Sequence, residues 1–140
     1  MEPALELCIE ISGYSLAMSS LVVFSINVRR LAAFYETVLG ARPIDESTGD
    51  VRLINERDEV LIHSIPKKIS KDIKMTSPPA PRENSALKPV FDVVSLERAL
   101  ESVEATVGVV TSRGFSFDGM TRRDVLDPDG NIIQLRCRIS

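Results

Sequence analysis

The sequence predicts an α+β fold built from two copies of one module, each running strand, helix, strand, strand, strand. Three observations carry this reading. Residues 21–40 form a β-branched run followed by an amphipathic, capped helix. Residues 87–103 repeat that order, with Val90-Phe91-Asp92-Val93 echoing Val23-Phe24-Ser25-Ile26. Each pair is followed by three more strand-like runs, and the last two flank the turn Asp127-Pro128-Asp129-Gly130.

The elements follow in order. Leu21 to Ile26 is rich in β-branched and aromatic residues and reads as a strand. Asn27 is a good N-cap, because its side chain accepts from the first free helical N–H groups. Val28, Leu31, Phe34, Tyr35, Val38 and Leu39 then recur on one helical face, and Gly40 supplies a left-handed residue to end it. Ala41 to Asp45, Val51 to Asn55 and Glu59 to Ile65 read as strands, the last two joined by a turn at Glu56-Arg57-Asp58. In the second module Leu87 to Val94 reads as a strand and Ser95 as an N-cap. Leu96, Ala99, Leu100 and Val103 form the helical face. Val107 to Thr111 and Phe115 to Phe117 are short strands, and Arg122 to Leu126 pairs with Asn131 to Arg138 as a hairpin.

These elements divide the chain into residues 20–65 and 87–140, one module each, within a single structural domain. Between them, residues 66–86 hold Lys67, Lys68, Lys71 and Lys74 and then Ser77-Pro78-Pro79-Ala80-Pro81. Proline removes donors and stiffens the chain, so this is a linker with polyproline character, either solvated or lying over a site as a flap. Residues 1–19 are an extension. Leu5, Leu7 and Ile9 alternate with Glu6, Cys8 and Glu10, which suits an added edge strand or dimer arm, although Ala4 to Ile11 also suits a helix.

Composition limits the function. The 140 residues are 44% hydrophobic and 26% charged, which is globular usage. A formal net charge of −3 argues against a nucleic-acid binder. No apolar run approaches the roughly 20 residues of a membrane-spanning helix. Glu2, Glu6 and Glu10 interrupt what would be the core of a secretory leader. Two widely separated cysteines, Cys8 and Cys137, read as reduced, and a cytoplasmic location is expected. With one histidine and no Cys-x-x-Cys, a Cys/His zinc site is excluded. The chain also lacks a Gly-x-Ser-x-Gly elbow, a phosphate-binding glycine loop and tryptophan, and aromatic residues are only 5%, so an aromatic stacking platform would be thin.

Two segments resemble the vicinal oxygen chelate superfamily, the glyoxalase, bleomycin-resistance and extradiol-dioxygenase group. Residues 27–40 look like its first helix, with Phe34-Tyr35 followed by Leu39-Gly40. Residues 127–135, Asp127-Pro128-Asp129-Gly130-Asn131 onward, look like its last hairpin. The resemblance spans about residues 20–138. It implies a cupped eight-stranded mixed sheet with the helices on its outer face, and a homodimer.

The family commonly holds a divalent metal on the concave sheet face, with ligands on the first and last strand of each module. Carried onto this chain, those positions are Ser20, His63, Lys88 and Gln134, where Gln134 replaces the usual Glu. Lysine is a cation with no free lone pair at neutral pH, and neutral serine is a poor ligand. His63 and Gln134 remain as weak metal candidates, too few for a transition-metal site. The expectation is therefore no cofactor.

Strand alternation then predicts the concave face: Ser20, Val22 and Phe24; Leu61, His63 and Ile65; Lys88, Val90 and Asp92; Ile132, Gln134 and Arg136. Val23, Ile62, Phe91, Ile133 and Leu135 fall on the opposite face, against the helices. An apolar floor with Phe24 and Leu61, and a polar set of His63, Lys88, Asp92, Gln134 and Arg136, is the composition of a small-molecule site. Lys88 and Arg136 as a cationic pair favour an anionic or carbonyl-rich organic ligand. Equally, Lys88 pairs with Asp92 along one face, and Arg136 snorkels to water. Asp127 and Asp129 belong to the turn, and Arg29, Arg30, Arg122 and Arg123 read as solvated. The function expected is a metal-free small-molecule-binding protein with a cleft on the concave face. The alternatives are a divalent-metal lyase, isomerase or dioxygenase built on His63, and an interaction module with no small ligand.

Overall fold

The computed structural model describes residues 19–140, and the module is present in them twice. The first copy is β1 (Ser19–Ser25), α1 (Val28–Leu39), β2 (Arg42–Glu46), β3 (Asp50–Ile54) and β4 (Asp58–Ser64). A single helical turn, α2 (Lys67–Ser70), opens the connection. The second copy is β5 (Val90–Asp92), α3 (Leu96–Ala105), β6 (Val109–Phe117), β7 (Met120–Leu126) and β8 (Ile132–Arg138). The strands form two four-stranded mixed sheets of the same order, β1-β4-β3-β2 and β5-β8-β7-β6. In each, the first and last strands of the module run parallel and the remaining pairs are antiparallel. The eight strands thus divide between two sheets and do not form one continuous ladder.

Local chemistry sets the helices. The Asn27 side chain accepts from the Arg30 N–H at 3.2 Å, and the Ser95 hydroxyl accepts from Arg98 in the same way. Gly40, at φ +61°, takes the left-handed conformation that ends α1. The apolar stripe of α1 is fully covered: Leu31, Ala32, Phe34, Tyr35, Val38 and Leu39 are all buried. They join Leu53, Val60, Ile62, Phe91, Val103, Val125, Ile133 and Leu135 in one core that draws on both modules. The helices α1 and α3 pack on each other, so the modules share that core and do not fold as separate units.

The two segments that carry the family likeness meet in this core. Tyr35 donates its hydroxyl to Asp127 Oδ2 at 2.7 Å. Asp127 also accepts from the backbone N–H groups of Asp129 and Asn131, and from Asn131 Nδ2. Burial pushes the Asp127 carboxyl up, against the lowering effect of those bonds, and burial beside Asp127 pushes the Tyr35 phenol well up. Arg30, expected to be solvated, instead reaches across to the Pro128 carbonyl and Asp129.

The sequence reading differs from the fold in three places. The second module's first strand is only Val90–Asp92, because Pro89 has no N–H to give a ladder; Lys88 therefore lies just before the strand. The two short strands expected over 107–117 are one strand, β6, with an irregular register between Val110 and Gly114. The linker is neither free nor a flap along its whole length. The Arg82 N–H donates to the Gly130 carbonyl and Arg82 Nε to the Asp129 carbonyl, both at 2.9 Å, so the strap is tied to the hairpin turn. The extension read in residues 1–19 lies outside the described residues, except for Ser19 in β1.

Candidate functional site

Strand register assigns the faces. Val23 is half-buried, and Ile62, Phe91, Ile133 and Leu135 are buried against the helices. The other face of each sheet is open. On it Val22, Phe24 and Val90 are exposed by 51%, 58% and 45%, more than apolar side chains keep in a filled interior. The alternation read from sequence therefore placed both faces correctly.

The open face of the first sheet carries two groups. His63 Nδ1 lies 2.5 Å from Asp50 Oδ1, because the β3–β4 register sets those residues opposite one another. The imidazole also lies 5.6 Å from the Phe24 ring, on the neighbouring β1. Further along, Arg52 Nε donates to Glu59 Oε2 at 2.7 Å, and the Ser20 hydroxyl donates to Glu59 Oε1. The Ser20 bond and the Arg52 guanidinium hold the Glu59 carboxyl below its ordinary range. Leu61 sits between Val22 and Arg52 in the register, half-buried.

The open face of the second sheet carries two more. Asp124, only 4% exposed, receives Lys88 Nζ at 3.0 Å and Gln134 Nε2 at 3.2 Å. Asp92 holds Arg136 through two bonds, at 2.7 and 3.1 Å, since parallel pairing of β5 with β8 sets them side by side. That contact holds the Asp92 carboxyl below its usual range and raises Arg136. The expected cationic pair is therefore not free: each cation has its own carboxylate. Lys88 pairs with Asp124 rather than Asp92, because it precedes β5 and reaches across to β7.

Three groups important to this surface were missed from sequence: Asp124, Arg57, and Arg122 with Phe115 and Phe117. Arg57 donates to the Asp92 carbonyl across the module boundary. Arg122, read as solvated, lies 5.4 and 5.7 Å from the Phe115 and Phe117 ring centroids. The i, i+2 spacing of those phenylalanines, with Arg122 beyond the Asp118-Gly119 turn, was the available signal. The seven expected site residues thus form three groups: His63 with Phe24, near Leu61; Lys88 with Gln134; and Asp92 with Arg136.

Cavities lie along these surfaces. One of about 320 Å³ spans the module boundary and is lined by Val22, Phe24, Ile65, Leu87, Pro89 and Ile132, among others. A second of about 520 Å³ is lined by Thr111, Arg113, Asp124, Leu126 and Ile132, with Pro81, Glu83 and Ser112. A third of about 600 Å³ is lined by Arg57, Arg122, Arg136 and Arg138.

The donor chemistry does not fit a divalent metal. Of the four family positions, Lys88 brings a positive charge and is bonded to Asp124, and Gln134 turns its amide nitrogen to that same carboxylate. Ser20 donates to Glu59, and His63 is engaged by Asp50. Among the described residues no three His, Cys, Asp or Glu side chains converge as a ligand set. Likewise, no helix among them is long and apolar enough to cross a membrane.

Lys88→Met is expected to lower stability by about 1 kcal/mol, discounted because the ammonium is partly exposed. Asp124 would keep Gln134 alone as a side-chain donor. Urea unfolding checks this, and an unchanged midpoint would show that Asp124 does not need the cation.

Comparison with known proteins agrees with the geometry. The glyoxalase/bleomycin resistance protein/dioxygenase superfamily profile matches residues 17–135. A glyoxalase/bleomycin resistance protein/dioxygenase family enzyme from Burkholderia phytofirmans superposes with a TM-score of 0.65 at 14% identity, covering 86% of this chain and 97% of that one. A glyoxalase/bleomycin resistance protein from Albidiferax ferrireducens gives 0.61 at 17%, covering 86% and 98%. A glyoxalase-related enzyme from Fulvimarina pelagi gives 0.59 at 15%, covering 89% of each chain. The search of curated proteins found no match. At these identities the solved structures speak for the fold alone, and the profile match over most of the chain agrees with them: this chain belongs to the glyoxalase/bleomycin resistance protein/dioxygenase superfamily.

Proposed function

We propose that this chain is a metal-free small-molecule-binding protein that holds an organic ligand on the open sheet face, acting as a cytoplasmic homodimer. The observation that carries the reading is the fate of the four metal positions. Their side chains bond to neighbouring carboxylates, while apolar groups beside them stay uncovered and line cavities large enough for a small ligand. Phe24, Leu61 and His63 supply one part of that surface. Lys88, Gln134, Asp92 and Arg136 supply hydrogen-bonding groups whose positions are set by ion pairs and, for Gln134, by its bond to Asp124, which orients a ligand at low entropic cost. The dimer has separate support: Val22, Phe24, Phe115 and Phe117 are each more than half exposed, and a second copy would cover part of that area.

Native mass spectrometry of freshly purified protein tests this. The expected species is twice the chain mass of 15.4 kDa, free of metal, with some molecules retaining an organic mass. One tightly held divalent ion per chain, lost on His63→Ala, would overturn the reading in favour of a metal-dependent lyase, isomerase or dioxygenase.

A further inference from the structure

We propose that the arginine-lined cavity on the open face of the second sheet binds a small phosphate-type dianion carrying an apolar group, such as an aryl phosphate. This rests on the reading above and adds the charge and shape of the ligand. Four arginines line the cavity, Arg57, Arg122, Arg136 and Arg138, against two carboxylates, Asp92 and Asp118, within about 600 Å³.

The convergence is built into the strands. Arg136 and Arg138 alternate onto one face of β8, and the β7–β8 register sets Arg122 directly opposite Arg136. Arg57 comes from the β3–β4 turn of the other module, and its Nη2 donates to the Asp92 carbonyl at 3.2 Å. Arg136 is satisfied by Asp92. The other three are not neutralised to the same degree. Among the described residues Arg57 and Arg122 donate their hydrogen bonds to backbone carbonyls and feel Asp92, and for Arg57 also Asp58, without direct ion-pair contact, and Arg138 has no ion-pair partner. Counting Asp92 and Asp118, the six side chains leave an excess of two positive charges. Like charges gathered in one cavity repel unless an anion sits among them, and a dianion would balance this excess.

Guanidinium groups also select the shape. Each presents five N–H donors in a planar fork that matches the oxygens of a phosphate, and among the described residues most of those on Arg57, Arg122 and Arg138 have no acceptor. The surrounding wall explains the apolar group. Met120 and Val93 line the cavity, and Phe115 and Phe117 lie beneath the Arg122 guanidinium with 55% and 68% of their surface exposed. The net charge of −3 and the gathering of the arginines around one open pocket favour a small ligand over a nucleic-acid backbone, which needs an extended basic stripe.

Isothermal titration of the 140-residue chain at low salt tests this, with phenyl phosphate and phenol as probes. The expected result is saturable binding of phenyl phosphate, with phenol at least about tenfold weaker. Arg138→Gln and Arg57→Gln should each weaken phenyl phosphate by about tenfold or more, as loss of a charged hydrogen bond does. Arg29→Gln, which removes an exposed arginine paired with Glu46, should change nothing. Thermal melts confirm that each variant is folded; among the described residues Arg138 has no ion pair to lose. Equal binding of phenyl phosphate and phenol would overturn the dianion site while leaving the open-face cleft standing. Equal weakening by all three substitutions would reduce the effect to general attraction and would also overturn it, as would affinity unchanged in both cavity variants.

Discussion

Asp127→Ala is expected to cost about 3–5 kcal/mol, enough to unfold much of the population of a domain this size at room temperature. The carboxylate is fully buried and accepts four hydrogen bonds, from Tyr35, the Asp129 and Asn131 backbones, and the Asn131 side chain. Alanine leaves those donors without their acceptor in a place water does not reach, and each such orphan costs about 1–3 kcal/mol before relaxation. The loss is also long-range, since Tyr35 sits on α1 and Asp127 in the last hairpin. Tyr35→Phe removes a single bond and should cost about 1–2 kcal/mol. Urea unfolding of both variants checks the pair. An Asp127→Ala loss below that of Tyr35→Phe would show that the turn, and not the interlock, is what the aspartate serves.

Gly130→Ala is expected to cost about 2–4 kcal/mol, from two causes that add. The residue has φ +85°, a region that side chains disfavour, and a Cβ there would stand 2.1 Å from the Ala80 carbonyl oxygen. The backbone of the strap would have to move away, and with it the Arg82 contacts to Asp129 and Gly130. Gly119→Ala is the control. Its φ is +73°, but no atom lies within 4 Å of the added methyl, so it should show only the conformational cost of about 1–2 kcal/mol. Thermal melts of the two variants isolate the docking of the linker. Equal losses would mean that the strap yields freely.

Local features of this chain can be read from its sequence, and its long-range pairings cannot. Helical periodicity, the Asn27 and Ser95 caps, the Gly40 stop and the Asp127 to Gly130 turn are local, so the elements and their repeat were legible. So were the strand faces, because alternation with period two separates Phe24 from Val23 without knowledge of any partner. Pairing was not legible. Lys88 finds Asp124 at a separation of 36 residues and Arg57 finds the Asp92 carbonyl at 35, and nothing local to either pair specifies those meetings. The irregular register before Gly114 hid the continuity of β6, and with it the placement of Phe115 and Phe117 under Arg122. The resemblance located the metal positions, and the residues at them argued against a metal. It did not show that their side chains would be engaged by Asp50, Glu59 and Asp124.

The central claim is that the open sheet face receives a small organic molecule. Methyl-labelled protein titrated with a set of small aromatic and carboxylic fragments tests it most directly. Saturable shifts are expected at Val22, Leu61, Val90 and Ile132 on the open face, with Leu31, Val103 and Ile133 in the core unmoved. Saturable shifts confined to other surfaces, or none at the open-face methyls with any fragment, would contradict it.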